Sequence, residues 1–262
     1  MAESPKPKKK TPQQKAAEAR AAQLASEKRR QNLIRIIGAI AVIIVVGGII
    51  GGALYYSKKG SGGGTDPNAA LPTDVSSSTY GYQVNTKVAA GAPLVQIWED
   101  FQCPACKQFE QTSAQAVQAE AKKGTINLQL RPTTFLNDHL GNTASDLATN
   151  AWGCAIDAGK ALEYHTGIFA MQPEKEGAGY TNEQMIALAQ RVGITGSALD
   201  TFTSCVNGQK FYPWVNNSQA QFVKDGVPGT PTIYVNGKEL PNTSGIYNQP
   251  AKLIPAIMAA GK

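Results

Sequence analysis

Hydrophobic positions follow two different patterns along this chain. Between Arg35 and Lys58 stand 22 consecutive residues without a charge, IIGAIAVIIVVGGIIGGALYYS. About 20 apolar residues are enough to span a bilayer as a helix, and unbroken Ile/Val/Gly of this length is unusual in a soluble core. The run predicts a transmembrane signal anchor over residues 36–56. A buried core helix and a cleaved signal peptide are the alternatives. The hydrophilic leader of 35 residues and the lack of an A-x-A cleavage site argue against the second. Next, SKKGSGGGTDPNAALPTDVSSS is rich in Gly, Ser and Pro, which predicts a flexible linker over residues 57–79.

From residue 80 to 262 the pattern shortens to that of one globular domain. PLVQIWED (93–100) is apolar and β-rich and reads as a buried strand. KQFEQTSAQAVQAEAKKG then reads as a helix, with Pro104 suited to its first turn and Gly124 to its stop. TINLQLRPTTFL returns as a second strand. Residues 143–207 look helical: Leu147, Ala151, Cys154 and Ala158 recur at spacings of four, three and four. TPTIYVNGKEL predicts a strand, an Asn236–Gly237 hairpin turn and another strand. QPAKLIPAIMAAG closes as a helix that Pro255 would kink. The order is β, helix, β, several helices, β-hairpin, helix: an α/β domain.

Charge changes the picture by its placement. The formal net charge is +6, yet residues 1–35 hold ten Lys/Arg against three Glu, and the remainder is close to neutral. A nucleic-acid binder carries its basic patch on the folded domain, so this distribution argues against such a partner. Basic residues before a span keep that side in the cytoplasm. Residues 1–35 therefore read as a basic cytoplasmic tail, and the domain after Lys58 as extracytoplasmic, in a single-pass cell-membrane protein.

Four cysteines carry the candidate chemistry. Cys103 and Cys106 lie three apart in DFQCPACKQFE, between the first strand and its helix. A structural zinc site needs two close pairs of ligands, and here only one pair is close. His139 and His165 stand at no ligand spacing, and each reads as a surface or core histidine. Neither a metal nor a bound cofactor is expected. A structural staple across so short a loop adds little stability. A cysteine at a helix start instead faces unpaired N–H groups and the positive end of the dipole, which favour thiolate. That position asks for Cys103 as nucleophile and Cys106 as the resolving thiol. Cys154 and Cys205 are either two buried free thiols or, in an oxidising compartment, a bridge. A bridge closing a loop of that length would contribute roughly 4 kcal/mol in the chain-entropy picture.

Two segments together, WEDFQCPACKQFE and GVPGTPTIYVNG, resemble the DsbA-like branch of the thioredoxin superfamily. Thr230–Pro231 matches that family's X–cis-Pro loop, which the resemblance places against the cysteine pair. The 125 residues from Cys106 to Pro231 are too many for a plain thioredoxin. The resemblance implies a helical insertion over about 140–210, covers residues 80–262, and gives the fold class as a DsbA-like thioredoxin fold preceded by one transmembrane helix. Anchor, tether and domain order are similar to the membrane-anchored MdbA-type enzymes of actinobacteria, in which a second, structural disulfide corresponds to Cys154–Cys205. The implied function is a thiol–disulfide oxidoreductase that introduces disulfides into unfolded exported proteins with free cysteines. A membrane reoxidase of the DsbB or VKOR type would restore its disulfide. A reductase or isomerase of the same fold, and a tethered chaperone or binding module, are the rival readings. Three features depart from the family. Ile97 stands where many thioredoxins bury an acid. Glu99 and Asp100 lie closer to the motif, as proton carriers or, the reading favoured here, as solvated charges at the strand's end. The central dipeptide is Pro-Ala, not Pro-His.

Overall fold

The computed structural model describes residues 65–262. The basic tail, the anchor expected at 36–56 and the start of the expected linker lie outside the described residues. Among the described residues no helix is long and apolar enough to cross a membrane.

Strand β2 (Leu94–Glu99) is buried along almost its whole length and forms the middle of the sheet. It pairs in parallel with β3 (Asn127–Pro132) and antiparallel with β4 (Thr232–Val235). β1 (Tyr82–Gln83) and β5 (Lys238–Glu239) complete the order β1-β3-β2-β4-β5. Alternation sorts β2 by face. Val95 and Ile97 enter the main core with Leu128 and Ile233, whereas Trp98 joins a second cluster with Phe222 and Val227. Asn236 and Gly237 both have positive φ, +49° and +78°, as a two-residue hairpin turn requires.

Parallel pairing of β2 with β3 needs a crossover. It is supplied by α1 (Pro104–Phe109), a π turn (Glu110–Ala114) and α2 (Gln115–Lys123), which ends at Gly124 with φ +76°. A π turn frees a backbone carbonyl, and here the Thr112 hydroxyl donates to Gln108 O at 2.8 Å. Between β3 and β4 stand α3 (Leu136–Leu140), α4 (Ala144–Asp157), α5 (Ala161–Ala170), α6 (Asn182–Arg191), α7 (Ser197–Asn207) and α8 (Tyr212–Lys224). The helical stretch expected over 143–207 is thus four helices. The insertion expected at about 140–210 runs wider, from α3 to α8, and α8 returns to the sheet through the Trp98–Phe222 contact at 5.4 Å. α4 is the most buried of these helices, with Ala148, Ala151, Trp152 and Ala155 all inaccessible. Pro255 lies inside α9 (Pro250–Ala260) without ending it.

The linker boundary is corrected. Residues expected to hang free up to position 79 lie on the domain from Asp66 onward. Asp66 N donates to Asn217 Oδ1 at 2.9 Å, and Asn217 Nδ2 donates back to Asp66 O at 2.7 Å. The Thr73 amide and hydroxyl both reach Asp157 Oδ1 at 3.0 Å, and Val75 bridges to Tyr82. Gly/Ser/Pro content suggested a coil, but backbone groups that find partners on a folded surface become ordered.

A buried dithiol at a helix start as candidate active site

β2 delivers the chain to Cys103, which has extended φ/ψ (−76°, 119°) and caps α1 with Pro104 next in line. Its amide donates to Asp100 O at 2.9 Å, and its carbonyl accepts Lys107 N at 3.2 Å. From the entry to β4, the strand beside β2, Thr230 brings its carbonyl to 3.3 Å from Cys103 Sγ, and the Thr230–Pro231 peptide is cis. All four predicted active-site residues, Cys103, Cys106, Thr230 and Pro231, therefore lie in the two segments that the structure joins here.

The two thiols sit in opposed environments. The Cys106 thiol, acting against burial and assisted by Thr230 and the first-turn amides, holds Cys103 down to about 6. Cys106 is completely inaccessible, and burial pushes it well above the ordinary thiol range; the charges of Cys103 and Glu99 add to that. At neutral pH the dithiol is a Cys103 thiolate beside a Cys106 thiol.

Glu99 and Asp100, read above as solvated charges at a strand end, are 4% and 0% exposed. Both continue inward because the helical insertion covers the end of β2. Asp100 accepts from the Gln102 amide (2.9 Å), the Ser145 hydroxyl (2.6 Å) and the Leu136 amide (3.1 Å). Burial still outweighs these donors and pushes it up to about 7. Burial also raises Glu99 to about 7, with Glu110 adding to the shift and His165 opposing it. Neither Glu99 carboxylate oxygen has a hydrogen-bond partner.

His165, on α5, is buried in a box of Phe101, Trp152 and Phe169, with ring centroids 5.0–5.2 Å away. Its Nε2 lies 3.4 Å from Glu99 Oε2 and its Nδ1 lies 3.7 Å from Glu110 Oε2. Burial works against its charge, but Glu110 and Glu99 carry it up to about 10. These three residues are the one described group with metal-ligating atoms within 4.8 Å of one another. An imidazole binds a metal through one nitrogen, in the ring plane. Here each ring nitrogen is closest to a different carboxylate, so the arrangement suits a shared proton and not an ion. His139 is remote from all this: it is exposed on α3, with Nδ1 3.0 Å from Phe135 O.

The insertion also fixes the active-site turn. Gln172 Nε2 donates to Phe101 O (2.9 Å) and Cys103 O (3.0 Å), and the Tyr180 hydroxyl donates to Phe101 O (2.7 Å). Sequence reasoning named none of Glu110, His165, Gln172 or Tyr180 as site residues. Glu110 was within reach, since it follows Cys106 by four and shares its helix face. The other three come from the insertion, and no spacing ties them to the cysteines. Elsewhere, Cys154 and Cys205 form a disulfide joining α4 to α7, with Cα atoms 5.9 Å apart.

Residues 89–249 match a protein family described as Thioredoxin. No curated protein matches the chain in sequence. Among solved structures, it is similar to the MdbA thiol-disulfide oxidoreductase of Actinomyces oris: TM-score 0.62, 22% identity, 77% of this chain and 97% of that one. It is similar to BdbD of Bacillus subtilis at TM-score 0.59 and 21% identity, over 74% of this chain and 99% of that one. The reduced disulfide bond oxidoreductase DsbG of Mycobacterium tuberculosis gives TM-score 0.55 and 25% identity, covering 69% and 86%.

Proposed function

Since the chain belongs to the thioredoxin family, we propose that it is a thiol–disulfide oxidoreductase that introduces disulfides into exported proteins through Cys103 and Cys106. A substrate thiolate attacks Cys103 Sγ of the enzyme disulfide. A substrate–Cys103 disulfide forms, the Cys103–Cys106 bond breaks, and its electron pair goes to Cys106, which takes up a proton. A second substrate thiolate then attacks the substrate sulfur of the mixed disulfide, and Cys103 departs as thiolate. The substrate loses two electrons and the enzyme gains them. Reoxidation by a membrane oxidase of the DsbB or VKOR type returns the enzyme to its starting state. Thr230 and Pro231 line the approach to Cys103 and position the incoming chain. The solved neighbours named as thiol-disulfide oxidoreductases support the same reading.

The opposed pair of thiols carries the direction of the reaction. A stabilised Cys103 thiolate lowers the free energy of the dithiol relative to the disulfide, so the protein gives its disulfide away. Thioredoxin-like reductants have an active-site thiol near 7 and a potential of about −270 mV, while the strongest oxidants lie near 3.5 and about −120 mV. A thiol held at about 6 belongs between them. Equilibration of the full chain with glutathione buffers measures the potential. A value between those limits supports the oxidase; one at or below about −270 mV would give the function to a reductase.

The uncharged span and the basic tail support a single-pass membrane protein with the domain outside the cytoplasm. Protease added to intact spheroplasts tests this: protection of the domain would remove export from the proposal.

A further inference from the structure

The reaction above leaves a proton to be found. Cys106 departs as a thiolate in a place with no solvent access, and burial strongly disfavours that charge. Ile97 cannot provide the proton. Along β2, however, residues 95, 97 and 99 share a face, and the next residue on that face toward the cysteines is Glu99. Its charge acts on Cys106, and both its oxygens are buried and unpartnered. Glu110 Oε1 and His165 Nδ1 are likewise buried and unpartnered. Four unsatisfied polar atoms in one cluster would be costly without a function that keeps them free.

We propose that Glu99, His165 and Glu110 form a buried proton relay: Glu99 protonates the departing Cys106 thiolate, and His165, held by Glu110, returns a proton to Glu99. This rests on the oxidoreductase reading of the cysteine pair. The proton balance is direct. The Glu99 O–H bond breaks as the Cys106 S–H bond forms; the His165 Nε2–H bond then breaks as Glu99 regains its proton. When the pair is reoxidised, Cys106 gives up its proton and the relay runs in reverse, which restores the proton of His165. The gaps of 3.4 and 3.7 Å need to shorten by only about 0.5–1 Å to become hydrogen bonds. The space among Glu99, Arg131, Trp152 and His165 is too narrow for a water molecule. Transfer therefore runs between side chains. Glu99 is the proton donor; His165 and Glu110 are positioning residues that act through it.

Other charged groups packed around the relay are engaged elsewhere. Arg131 from β3 stacks over Trp98 at 3.9 Å and pairs with Asp225 at 3.2 Å. Lys107 from α1 donates to Gln172 O at 2.8 Å. Asp100 keeps its three donors, and α4 and α5 otherwise present the uncharged rings of Trp152 and Phe169. The groups that face Glu99 are Glu110, His165 and the two thiols, while Asp100, itself raised to about 7, is turned to its own three donors.

The test uses the oxidised full chain in detergent, opened by dithiothreitol, with the rate followed across the neutral pH range by acid quenching and thiol alkylation. Opening by a small dithiol needs only the Cys103–Cys106 disulfide, so a reductase-like potential would defeat the oxidase reading and leave this test intact. Glu110→Gln removes a negative charge that raises the proton affinity of both Glu99 and His165, so the pH profile should move to lower pH. His165→Asn removes a positive charge beside Glu99, so the profile should move to higher pH. Glu110→Gln should slow opening at neutral pH by up to about tenfold, because less of Glu99 then holds its proton, whereas His165→Asn should leave this single opening undiminished, because His165 returns its proton only after the step. Displacements of opposite sign establish the relay. Profiles that superimpose on the unmodified protein, or that shift in the same direction, overturn it. If His165→Asn fails to fold, Glu110→Gln decides alone: a shift to lower pH supports the relay and an unchanged profile refutes it.

Discussion

Cys103–Cys106 and Cys154–Cys205 occupy one domain and share nothing that governs thiol chemistry. The first pair sits three residues apart at a helix start, free as thiols, with Thr230 and buried carboxylates around it. The second joins two helices across 51 residues, and the described contacts of Cys154 are apolar. Loop length makes the long bridge stabilising and the short one nearly neutral. Electrostatics makes the short pair reactive and leaves the long one inert. Stability and reactivity in a disulfide therefore come from different structural sources, and this chain separates them.

Three experiments bear on that separation. The largest effect belongs to Cys103→Ser, which should abolish oxidation of a reduced, unfolded protein while barely altering the melting temperature. Residual turnover comparable to the unmodified protein would move the chemistry away from this site. Next, Cys154→Ser with Cys205→Ser should cost about 4 kcal/mol of unfolding free energy in the chain-entropy picture, read from denaturant midpoints. The potential of the Cys103–Cys106 couple should stay where it was. A shifted potential would mean the two pairs are linked through α4.

The smallest effect concerns pH. Cys103 folds with its thiol at about 6, below the ordinary 9.0, so its contribution to the dithiol's stability is complete above 9.0 and is lost as pH falls through about 6. The disulfide form has no such group. The stability of the dithiol relative to the disulfide should therefore rise between pH 6 and 9.0. Glu99 and Asp100, raised to about 7, lose stability as pH climbs from the carboxylate range to that value, and His165, raised to about 10, loses it as pH rises from 6.5 toward 10. Those losses are common to both redox forms and largely cancel in the difference. Thermal melts of the two forms across this range make the measurement, and a flat difference would contradict the thiolate.

The sheet was legible in the sequence because β2, β3 and β4 are short apolar runs bounded by turn residues, and Asn236–Gly237 fixes the hairpin. The cysteine motif and Thr230–Pro231 were legible because each is local. What failed was anything requiring the insertion as a lid. Glu99 and Asp100 look exposed at a strand end until α3–α5 cover them, and His165 has no sequence relation to Glu99, 66 residues earlier. β1 is too short for alternation to reveal, and the Asp66–Asn217 contact spans 151 positions.

The π turn after Phe109 has a genetic consequence. Such a turn amounts to one residue more than an α-helix needs, so a single-codon deletion within Glu110–Ala114 is an in-frame change the crossover can absorb by closing into an ordinary helix. Exposed Gln111 is the position where that loss would disturb packing least. Residues after the deletion would turn by roughly 100° about the axis relative to α1, whereas Glu110, on the active-site side of it, would keep its place beside His165. Loss of that codon would therefore re-aim α2 while leaving the charge beside His165 where it is.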